Sequence, residues 1–277
     1  LVASLAPILV GAALAYEKIG YYDYLAIFLC FAFSVLIQIG TNFANDYFDF
    51  VKGADTEERI GPERMVSKGL ISPQWMLVGT AICLLMAFCL GVILMEHVRA
   101  NRILLGVGVI SVLSALAYTG GPFPLAYNGL GDCFVIFFFG LLAVCLTEYV
   151  LMCSAQFFWI PSWGVGLSMG LIINNLLVVN NYRDFEEDRS TGKKTLVVIL
   201  GRKFGLYLYA FGFFFASVGC SVAYENSRFT LLLIPLALFC LRKLIGADEA
   251  KDYDNVLALS AVIVLLYALF TAFGILW

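Results

Sequence analysis

Charged side chains are scarce in this chain: only 13% of its 277 residues are Asp, Glu, Lys or Arg, whereas 62% are hydrophobic. A soluble domain of this length cannot hide so much apolar surface, because most of its exterior must be polar. The composition therefore excludes an ordinary soluble enzyme and predicts an integral membrane protein. Its apolar runs are long and unbroken rather than alternating, which favours transmembrane helices over a β-barrel.

Histidines and paired cysteines are also lacking. The single histidine, His97, is interpreted as an interfacial residue, because a catalytic or metal-binding imidazole needs partners. The eight cysteines are scattered without a C-x-x-C pair, so they are interpreted as buried apolar side chains. Leu1 is not a methionine and already lies within an apolar run, and we expect a short cytoplasmic segment to precede it.

Nine apolar segments are long enough to cross the roughly 30 Å of hydrocarbon in a bilayer, which takes about 20 residues of helix. Turn residues such as Gly120-Gly121-Pro122 separate them. We predict an all-α integral membrane protein of about nine transmembrane helices, with residues 1–277 forming one transmembrane domain. The predicted spans are residues 1–16, 24–50, 74–95, 102–118, 131–151, 161–183, 204–223, 229–246 and 254–276.

Basic residues are distributed unevenly between the two sides of this arrangement. Of the 17 Lys and Arg residues, 13 fall on the side that carries the loops after the second, fourth, sixth and eighth spans. Cytoplasmic loops carry such an excess of Lys and Arg. We therefore expect a multi-pass protein of the cytoplasmic (inner) membrane, with its large charged loops and its N-terminus in the cytoplasm.

The second and sixth spans end in similar sequences. Residues 45–49 read Asn-Asp-Tyr-Phe-Asp and residues 180–184 read Asn-Asn-Tyr-Arg-Asp, so three of five positions are identical at a separation of 135 residues. Four spans lie between the two copies, and an even number of crossings places both at the same membrane face. This pattern suggests a parallel internal repeat of helices 2–5 and 6–9.

Polar oxygens are concentrated on one face of each repeated helix end. The helical spacing groups Asn42, Asn45 and Asp49 on the second span, and Asn180, Asp184 and Asp188 on the sixth. Ionisable groups at a membrane helix end are costly unless they are paired, hydrated or functional. Carboxylate and amide oxygens suit Mg²⁺, which commonly bridges carboxylates to phosphates.

The loops after both helix ends are basic, with Arg59, Arg64 and Lys68 after the first and Arg189, Lys193 and Lys194 after the second. Acids for a metal ion together with bases for phosphate oxygens predict a magnesium–diphosphate site. Two other interpretations stay open at this point: ordinary surface ion pairs at solvated loop ends, and a secondary transporter that uses the acids for ion coupling.

The same residues carry a resemblance to the UbiA superfamily of intramembrane prenyltransferases, and within it to the 1,4-dihydroxy-2-naphthoate polyprenyltransferases of menaquinone biosynthesis. Residues 42–55 resemble the first Asp-rich motif of the family, and residues 180–188 resemble the second. Further similarity lies in residues 59–62, 68–72, 117–121, 127–132, 138–140, 192–198 and 200–201.

The resemblance implies nine helices around a central cavity and Mg²⁺-dependent transfer of a polyprenyl group from polyprenyl diphosphate to an aromatic acceptor. The implied acceptor is 1,4-dihydroxy-2-naphthoate, whose carboxylate is lost to give demethylmenaquinone; 4-hydroxybenzoate and haem are the alternatives. The expected catalytic acids are Asp49, Asp184 and Asp188. The expected metal ligands are these three together with Asn45, Asp55 and Asn180, and the expected diphosphate ligands are Arg64, Lys68, Lys193 and Lys194.

The expected mechanism is loss of diphosphate followed by attack of the ring on an allylic cation. Such a cation needs a dry cavity, and aromatic faces can stabilise it. The expected cation or acceptor contacts are Asp46, Tyr47, Tyr118, Tyr127 and Tyr182.

Two positions depart from the family pattern. Gly53 stands where the first motif usually places its last Asp, and Asp55 follows two residues later. Some relatives carry Tyr-x-x-x-Lys after the fourth helix, and here Tyr118 is followed by Pro122 in place of the Lys. A diphosphate contact from that Lys must therefore come from elsewhere or be absent.

Overall fold

The computed structural model describes residues 1–54 and 61–277, and this part of the chain is built from helices and loops without a β-strand. The all-α prediction is therefore confirmed. The α-helices are α1 (Val2–Ile19), α2 (Tyr24–Val51), α3 (Pro73–His97), α4 (Ile103–Ala117), α5 (Gly131–Ser154), α6 (Trp163–Arg183), α7 (Phe185–Ser190), α8 (Leu196–Leu200), α9 (Arg202–Ala223), α10 (Ile234–Ile245) and α11 (Ala250–Leu276).

Seven helices in the described part of the chain are long and apolar enough to cross a membrane. They are α1, α2, α3, α5, α6, α9 and α11, which confirms a multi-pass membrane protein. The fourth and eighth predicted spans coincide with shorter helices: α4 has 15 residues, and α10 has 12 after a 3₁₀ segment, Glu225–Leu233. A 12-residue α-helix rises only about 18 Å, so the count of nine crossings stays a prediction.

Local sequence signals fix several helix ends. Asp23 caps α2 by accepting a hydrogen bond from the Ala26 amide at 3.0 Å, and Ser72 caps α3 directly before Pro73. Gly20 ends α1 at φ 77°, in the left-handed region that glycine adopts without strain. These signals are why the observed bounds stay close to the apolar segments.

Helix α1 is the element that joins the two halves of the bundle. One hydrophobic core packs α1 against α6, α9, α10 and α11, and a second packs α1 against α2, α3 and α5. Val10 and Leu14 of α1 are fully buried in the first core, and Ala12 and Ala15 lie in the second. The central position of α1 holds the ends of α2 and α6 beside one space.

Helices α5 and α6 cross at a contact that only glycine permits. Residues Ile136–Leu142 of α5 form a π-helical turn, and a Cβ added to Gly140 there would lie 2.3 Å from the Cα of Gly170 in α6. Small residues allow such close approach between membrane helices. The crossing sets the separation of the two helices below the polar space.

We expect Gly140→Ala to lower the melting temperature of the purified protein, because the added methyl group overpacks the crossing by about 1–3 kcal/mol. Gly106 of α4 is the matched control, since a Cβ there meets nothing within 4 Å. Thermal unfolding in detergent should therefore show a clear drop for Gly140→Ala and none for Gly106→Ala. Equal behaviour of the two variants would contradict the packing argument.

Candidate functional site

A cavity of about 660 Å³ lies between the ends of α2 and α6, the start of α5 and the adjoining loops. It receives polar side chains from both halves of the sequence, so the two repeated helix ends face one space. The sequence-predicted residues that line it are Asn45, Asp46, Asp49, Arg64, Tyr118, Asn180, Asp184 and Lys193. Bringing these groups together is the main contribution of the fold to the site.

Asp49 is the best-supported acid on the α2 side of the cavity. Its carboxylate is 4% exposed; it accepts a hydrogen bond from the Tyr127 hydroxyl at 2.7 Å and forms an ion pair with Arg64 at 3.3 Å. One turn earlier, Asn45 Oδ1 accepts a hydrogen bond from Thr119 at 2.8 Å. The two loops that contribute Arg64 and Tyr127 are thus tied to the same carboxylate.

Asp46 anchors a loop. Its two carboxylate oxygens accept hydrogen bonds from the backbone amides of Met65 at 3.1 Å and Val66 at 3.4 Å. These bonds hold the segment that carries Arg64 against α2. Asp46 lines the cavity, but both of its carboxylate oxygens accept hydrogen bonds from the backbone of this loop.

Asp184 is held on the α6 side by its neighbour in the chain. Arg183 donates from Nε to Asp184 Oδ1 at 2.6 Å and from Nη2 to Oδ2 at 2.9 Å. Such a bidentate pair fixes the plane of a carboxylate. Arg183 is 5% exposed, and its remaining nitrogen, Nη1, is buried with no hydrogen-bond partner among the described residues.

Asp188 lies in α7, one helical turn after Asp184. Its carboxylate is 4% exposed and pairs with Lys193 at 3.1 Å. Burial raises the pKa of the Asp188 carboxyl to about 6, although Lys193 opposes that shift. Its second oxygen, Oδ2, is buried and has no hydrogen-bond partner within the described ranges. A cation beside this oxygen would favour the ionised form.

Six predicted site residues that the structure describes do not line the cavity. Asp188 and Tyr127 each contact a residue that does line it; the other four are Tyr47, Tyr182, Lys68 and Lys194. Tyr47 and Tyr182 each precede a lining Asp by two residues, which is about 200° around an α-helix, so they point elsewhere. Tyr182 instead packs under the Arg202 guanidinium at 4.5 Å. Lys68 and Lys194 are exposed; Lys68 pairs with Glu63 at 3.6 Å. An ammonium group in water keeps its hydration shell, and both lysine side chains stay at the surface.

Tyr127 lies behind the cavity wall, where it joins three segments. Its ring lies 4.4 Å from Lys52 Nζ and 5.7 Å from Lys193 Nζ, and its carbonyl accepts a hydrogen bond from the Lys194 amide at 3.1 Å. Lys52 also donates a hydrogen bond to the Thr119 carbonyl, in the loop where Pro122 replaces a basic residue. Sequence reasoning assigned no role to Lys52, because nothing local shows where its long side chain reaches.

Sequence reasoning also assigned no role to two further residues of the cavity, Asp132 and Arg183. Asp132 begins α5, lines the cavity and is 3% exposed. An acid at the start of an apolar span is a signal that could have found it. Arg183 ends α6 and lines the cavity, and its pairing with Asp184 is evident only from the structure.

The acids fit a metal ion that arrives with phosphate. Asp55 lies outside the described residues, and among the residues that are described no three His, Cys, Asp or Glu side chains form a metal-binding group. Mg²⁺ is usually held by one or two carboxylates together with waters and substrate phosphates rather than by an all-protein cage. Asp49, Asp184 and the unpaired oxygen of Asp188 suit that type of binding.

An apolar groove of about 170 Å³ adjoins the polar cavity. It runs between α2, α3, α4 and α5, and Phe134 and Phe139 line both spaces. The ring of Phe134 lies 5.1 Å from that of Tyr118 on the polar side and stacks at 4.3 Å on Phe138 in the groove. An aromatic wall therefore leads from the charged end into the membrane.

Comparison with known proteins agrees with this geometry. A model of the UbiA prenyltransferase family matches residues 4–259. The chain is 34% identical to a 1,4-dihydroxy-2-naphthoate octaprenyltransferase of Haemophilus influenzae, over 99% of this chain and 91% of the relative. It is 39% identical to an enzyme with the same name in Escherichia coli, over 71% of this chain and 64% of the relative.

Solved structures share the fold at low sequence identity. The apo structure of a UbiA homolog from Aeropyrum pernix K1 superposes with a TM-score of 0.71 at 15% identity, covering 99% of this chain and 96% of that one. A UbiA homolog from Archaeoglobus fulgidus, bound to DMAPP and Mg²⁺, gives a TM-score of 0.63 at 13% identity with the same coverage.

Lys193 and its neighbour Lys194 provide a matched pair of basic residues for testing the cavity. We expect Lys193→Ala to weaken binding of inorganic diphosphate with Mg²⁺ by roughly tenfold or more, because a charge-assisted hydrogen bond contributes about 1.5–3 kcal/mol. Lys194→Ala removes the same charge from an exposed position and should change affinity less than about twofold. Calorimetric titration measures both. Equal losses would show that overall charge matters rather than the cavity contact.

Proposed function

The chain belongs to the UbiA prenyltransferase family, and we propose that it transfers a polyprenyl group from polyprenyl diphosphate to 1,4-dihydroxy-2-naphthoate. The reaction depends on Mg²⁺, releases the ring carboxylate as CO₂ and gives the reduced, hydroquinone form of demethylmenaquinone. The observation that carries this proposal is the meeting of the two acidic helix ends in one cavity. The naphthoate acceptor rests on similarity to relatives that bear this name over nearly the whole chain.

The diphosphate end of the substrate fits between the two acidic helix ends. Asp49 and Asp184, with Asp188 and the amide oxygens of Asn45 and Asn180, would hold Mg²⁺ there, and Asp55 stays a further proposed ligand. When bound, Mg²⁺ supplies neutralisation of the charge that develops on the leaving diphosphate.

Two basic residues then contact the phosphate oxygens directly. Arg64 and Lys193 line the cavity, and each already faces a carboxylate that the metal would engage. Each base would donate to the diphosphate oxygens, while the carboxylate beside it would help to hold the metal. Lys68 and Lys194 would act only through their charge at the surface.

The prenyl chain fits the apolar groove, with its allylic end at the aromatic wall. Among the described residues, the phenylalanines that line this groove come from α2, α3 and α5; they are Phe33, Phe88, Phe134, Phe138 and Phe139. Tyr118 and Phe134 lie where the allylic cation would form, and their ring faces can stabilise it. Water is kept from the cation by the packed aromatic side chains.

The site is proposed to open to the cytoplasm, in the inner (cytoplasmic) membrane. The excess of basic residues on the side of the helix ends supports this orientation. The packing of α1 against both halves supports one transmembrane domain over residues 1–277.

Removal of either cavity carboxylate tests the metal assignment. We expect Asp49→Asn and Asp184→Asn each to reduce Mg²⁺-dependent transfer by more than about a hundredfold, because one charge-stabilising contact contributes about 2.7–4 kcal/mol to such reactions. Glu186→Gln is the matched control, since Glu186 is exposed in the same acidic segment. Full activity in both purified and folded Asp variants would refute the assignment.

The acceptor is tested by incubating the protein with Mg²⁺, a polyprenyl diphosphate and an equimolar mixture of 1,4-dihydroxy-2-naphthoate, 4-hydroxybenzoate and haem. Mass spectrometry should detect one prenylated product, a naphthalene lacking the carboxylate. A product from either other acceptor alone would replace the naphthoate assignment. Solute flux in proteoliposomes without Mg²⁺, together with no transfer, would instead favour the transporter.

A further inference from the structure

A buried carboxylate–amide pair lies below the diphosphate end of the cavity. Asp132, at the start of α5, is 3% exposed, and Asn174, within α6, is 2% exposed. Asn174 Nδ2 donates a hydrogen bond to Asp132 Oδ1 at 2.9 Å. Asn174 precedes Asn180 by six residues, which places the pair about 9 Å further from the cytoplasmic end of α6.

This pair is short of hydrogen-bond donors. No Lys or Arg in the described ranges forms an ion pair with Asp132, and Asn174 Oδ1 is buried without a hydrogen-bond partner in the same ranges. A buried acceptor without a donor costs about 1–3 kcal/mol, and a charged one costs more. An ionisable group inside a membrane protein that forms no ion pair is a functional-site candidate. A carboxylate and an amide oxygen both accept, so the group that complements this pair is a hydrogen-bond donor.

The pair also lies beside the place where the prenyl cation would form. Asp132 lines the polar cavity together with Tyr118, Phe134 and Phe139, and the last two also line the apolar groove. Gly131, directly before Asp132, lets Tyr118 approach closely, because an added Cβ there would lie 3.3 Å from the Tyr118 hydroxyl. A flat ring bound at Asp132 would therefore face the aromatic wall.

We propose that Asp132 is an acceptor-binding catalytic residue, which takes the hydrogen bond and then the proton of the phenolic hydroxyl next to the reacting ring carbon, and that Asn174 is a positioning residue that orients Asp132. The inference rests on the proposed function. It assigns the binding site of the hydroxylated ring, which the proposed diphosphate ligands do not define. The ligand class is a ring with a free hydroxyl beside the carbon that is prenylated.

The step balances without any further reactant. The ring carbon that bears the carboxylate forms a bond to C1 of the prenyl chain, and the C1–O bond breaks with its electron pair leaving on diphosphate. The adjacent hydroxyl becomes a carbonyl as its proton moves to Asp132. Loss of the carboxylate as CO₂ returns an electron pair to the ring, and the carbonyl oxygen takes the proton back from Asp132. The product is a hydroquinone, and Asp132 is regenerated.

The alternative is that the pair only joins α5 to α6. That role predicts loss of stability and similar changes in the KM of both substrates. A role in binding and deprotonating the acceptor predicts a fall in kcat, to which general base catalysis contributes about 10²–10⁴-fold, with a rise in KM confined to the acceptor. Steady-state kinetics with each substrate varied in turn separates these two roles.

The experiment uses the full chain in detergent or nanodiscs with the variants Asp132→Asn and Asn174→Ala. Asn175→Ala is the matched control for the latter, because Asn175 is a neighbouring buried amide that bonds the Tyr209 carbonyl outside the cavity. We expect Asp132→Asn to lower kcat/KM for the acceptor at least a hundredfold, with the KM for prenyl diphosphate within about twofold of wild type. Asn174→Ala should lower acceptor kcat/KM about tenfold and Asn175→Ala should not.

A binding readout that does not depend on turnover accompanies the kinetics. Thermal stabilisation by Mg²⁺ with inorganic diphosphate should survive in Asp132→Asn, whereas stabilisation by the acceptor alone should be lost. Wild type should also reject an acceptor methylated at the hydroxyl beside the carboxylate, and Asp132→Asn should discriminate less between the two.

Several outcomes overturn the inference. Unchanged acceptor kcat/KM in folded Asp132→Asn does so, as does an equal rise in the KM of both substrates. If Asp132→Asn does not fold, equal acceptor kinetics in Asn174→Ala and Asn175→Ala overturn it and a selective loss in Asn174→Ala upholds it. If wild type prenylates no hydroxyarene at all, the proposed function and the site inference both fail. If wild type is active and the variants have the same acceptor kinetics as wild type, the site inference fails alone.

Discussion

The arrangement depends on the cost of placing negative charge at the edge of a low-dielectric membrane. Asp49 and Asp184 line one cavity from the ends of two helices, and Asp188 follows in the next short helix. Like charges in one region repel each other unless they are compensated. Each has acquired a basic partner, namely Arg64, Arg183 and Lys193 respectively. The surrounding loops take their positions from these pairs, because they carry the partners.

This compensation also prepares the site for its substrate. A Mg²⁺–diphosphate carries both signs of charge, so under the proposed function the metal ion would pair with the carboxylates and the phosphate oxygens would pair with Arg64 and Lys193. Little new charge is buried when the substrate enters. A site built from acids alone, or from bases alone, would have to bury unpaired charge in one of its two states.

Distance from the charged end separates three kinds of chemistry. Ion pairs occupy the helix ends, the hydrogen-bonded pair of Asp132 and Asn174 lies below them, and the aromatic wall of Tyr118, Phe134 and Phe138 continues into the apolar groove. A leaving diphosphate, a hydroxylated ring and a polyprenyl chain have the same order of polarity. The glycine contact between α5 and α6 keeps the helices that carry these groups close together.

The sequence alone determined the helical membrane class, the positions of the helices and the acids and bases at the two motif ends, because apolar length, capping residues and helical spacing are local properties. Helical spacing also places Tyr47 and Tyr182, two residues before Asp49 and Asp184, about 200° away from those acids; the two tyrosines were nevertheless expected in the site. The sequence alone did not show whether α4 and α10 cross the whole membrane. The apolar length of a segment does not distinguish a short helix with its flanking loop from one full-length helix.

Only the tertiary structure decided which long side chains meet. Lys52 reaches the loop after α4, whereas Lys68 and Lys194 stay in water. Asn174 donates a hydrogen bond to Asp132, which lies 42 residues earlier in the chain and in another helix. Flexible side chains and contacts between distant helices follow from how the helices pack, and packing depends on all of them at once. A sequence pattern fixes the face of a helix on which a residue lies, but its partner across the cavity belongs to another helix.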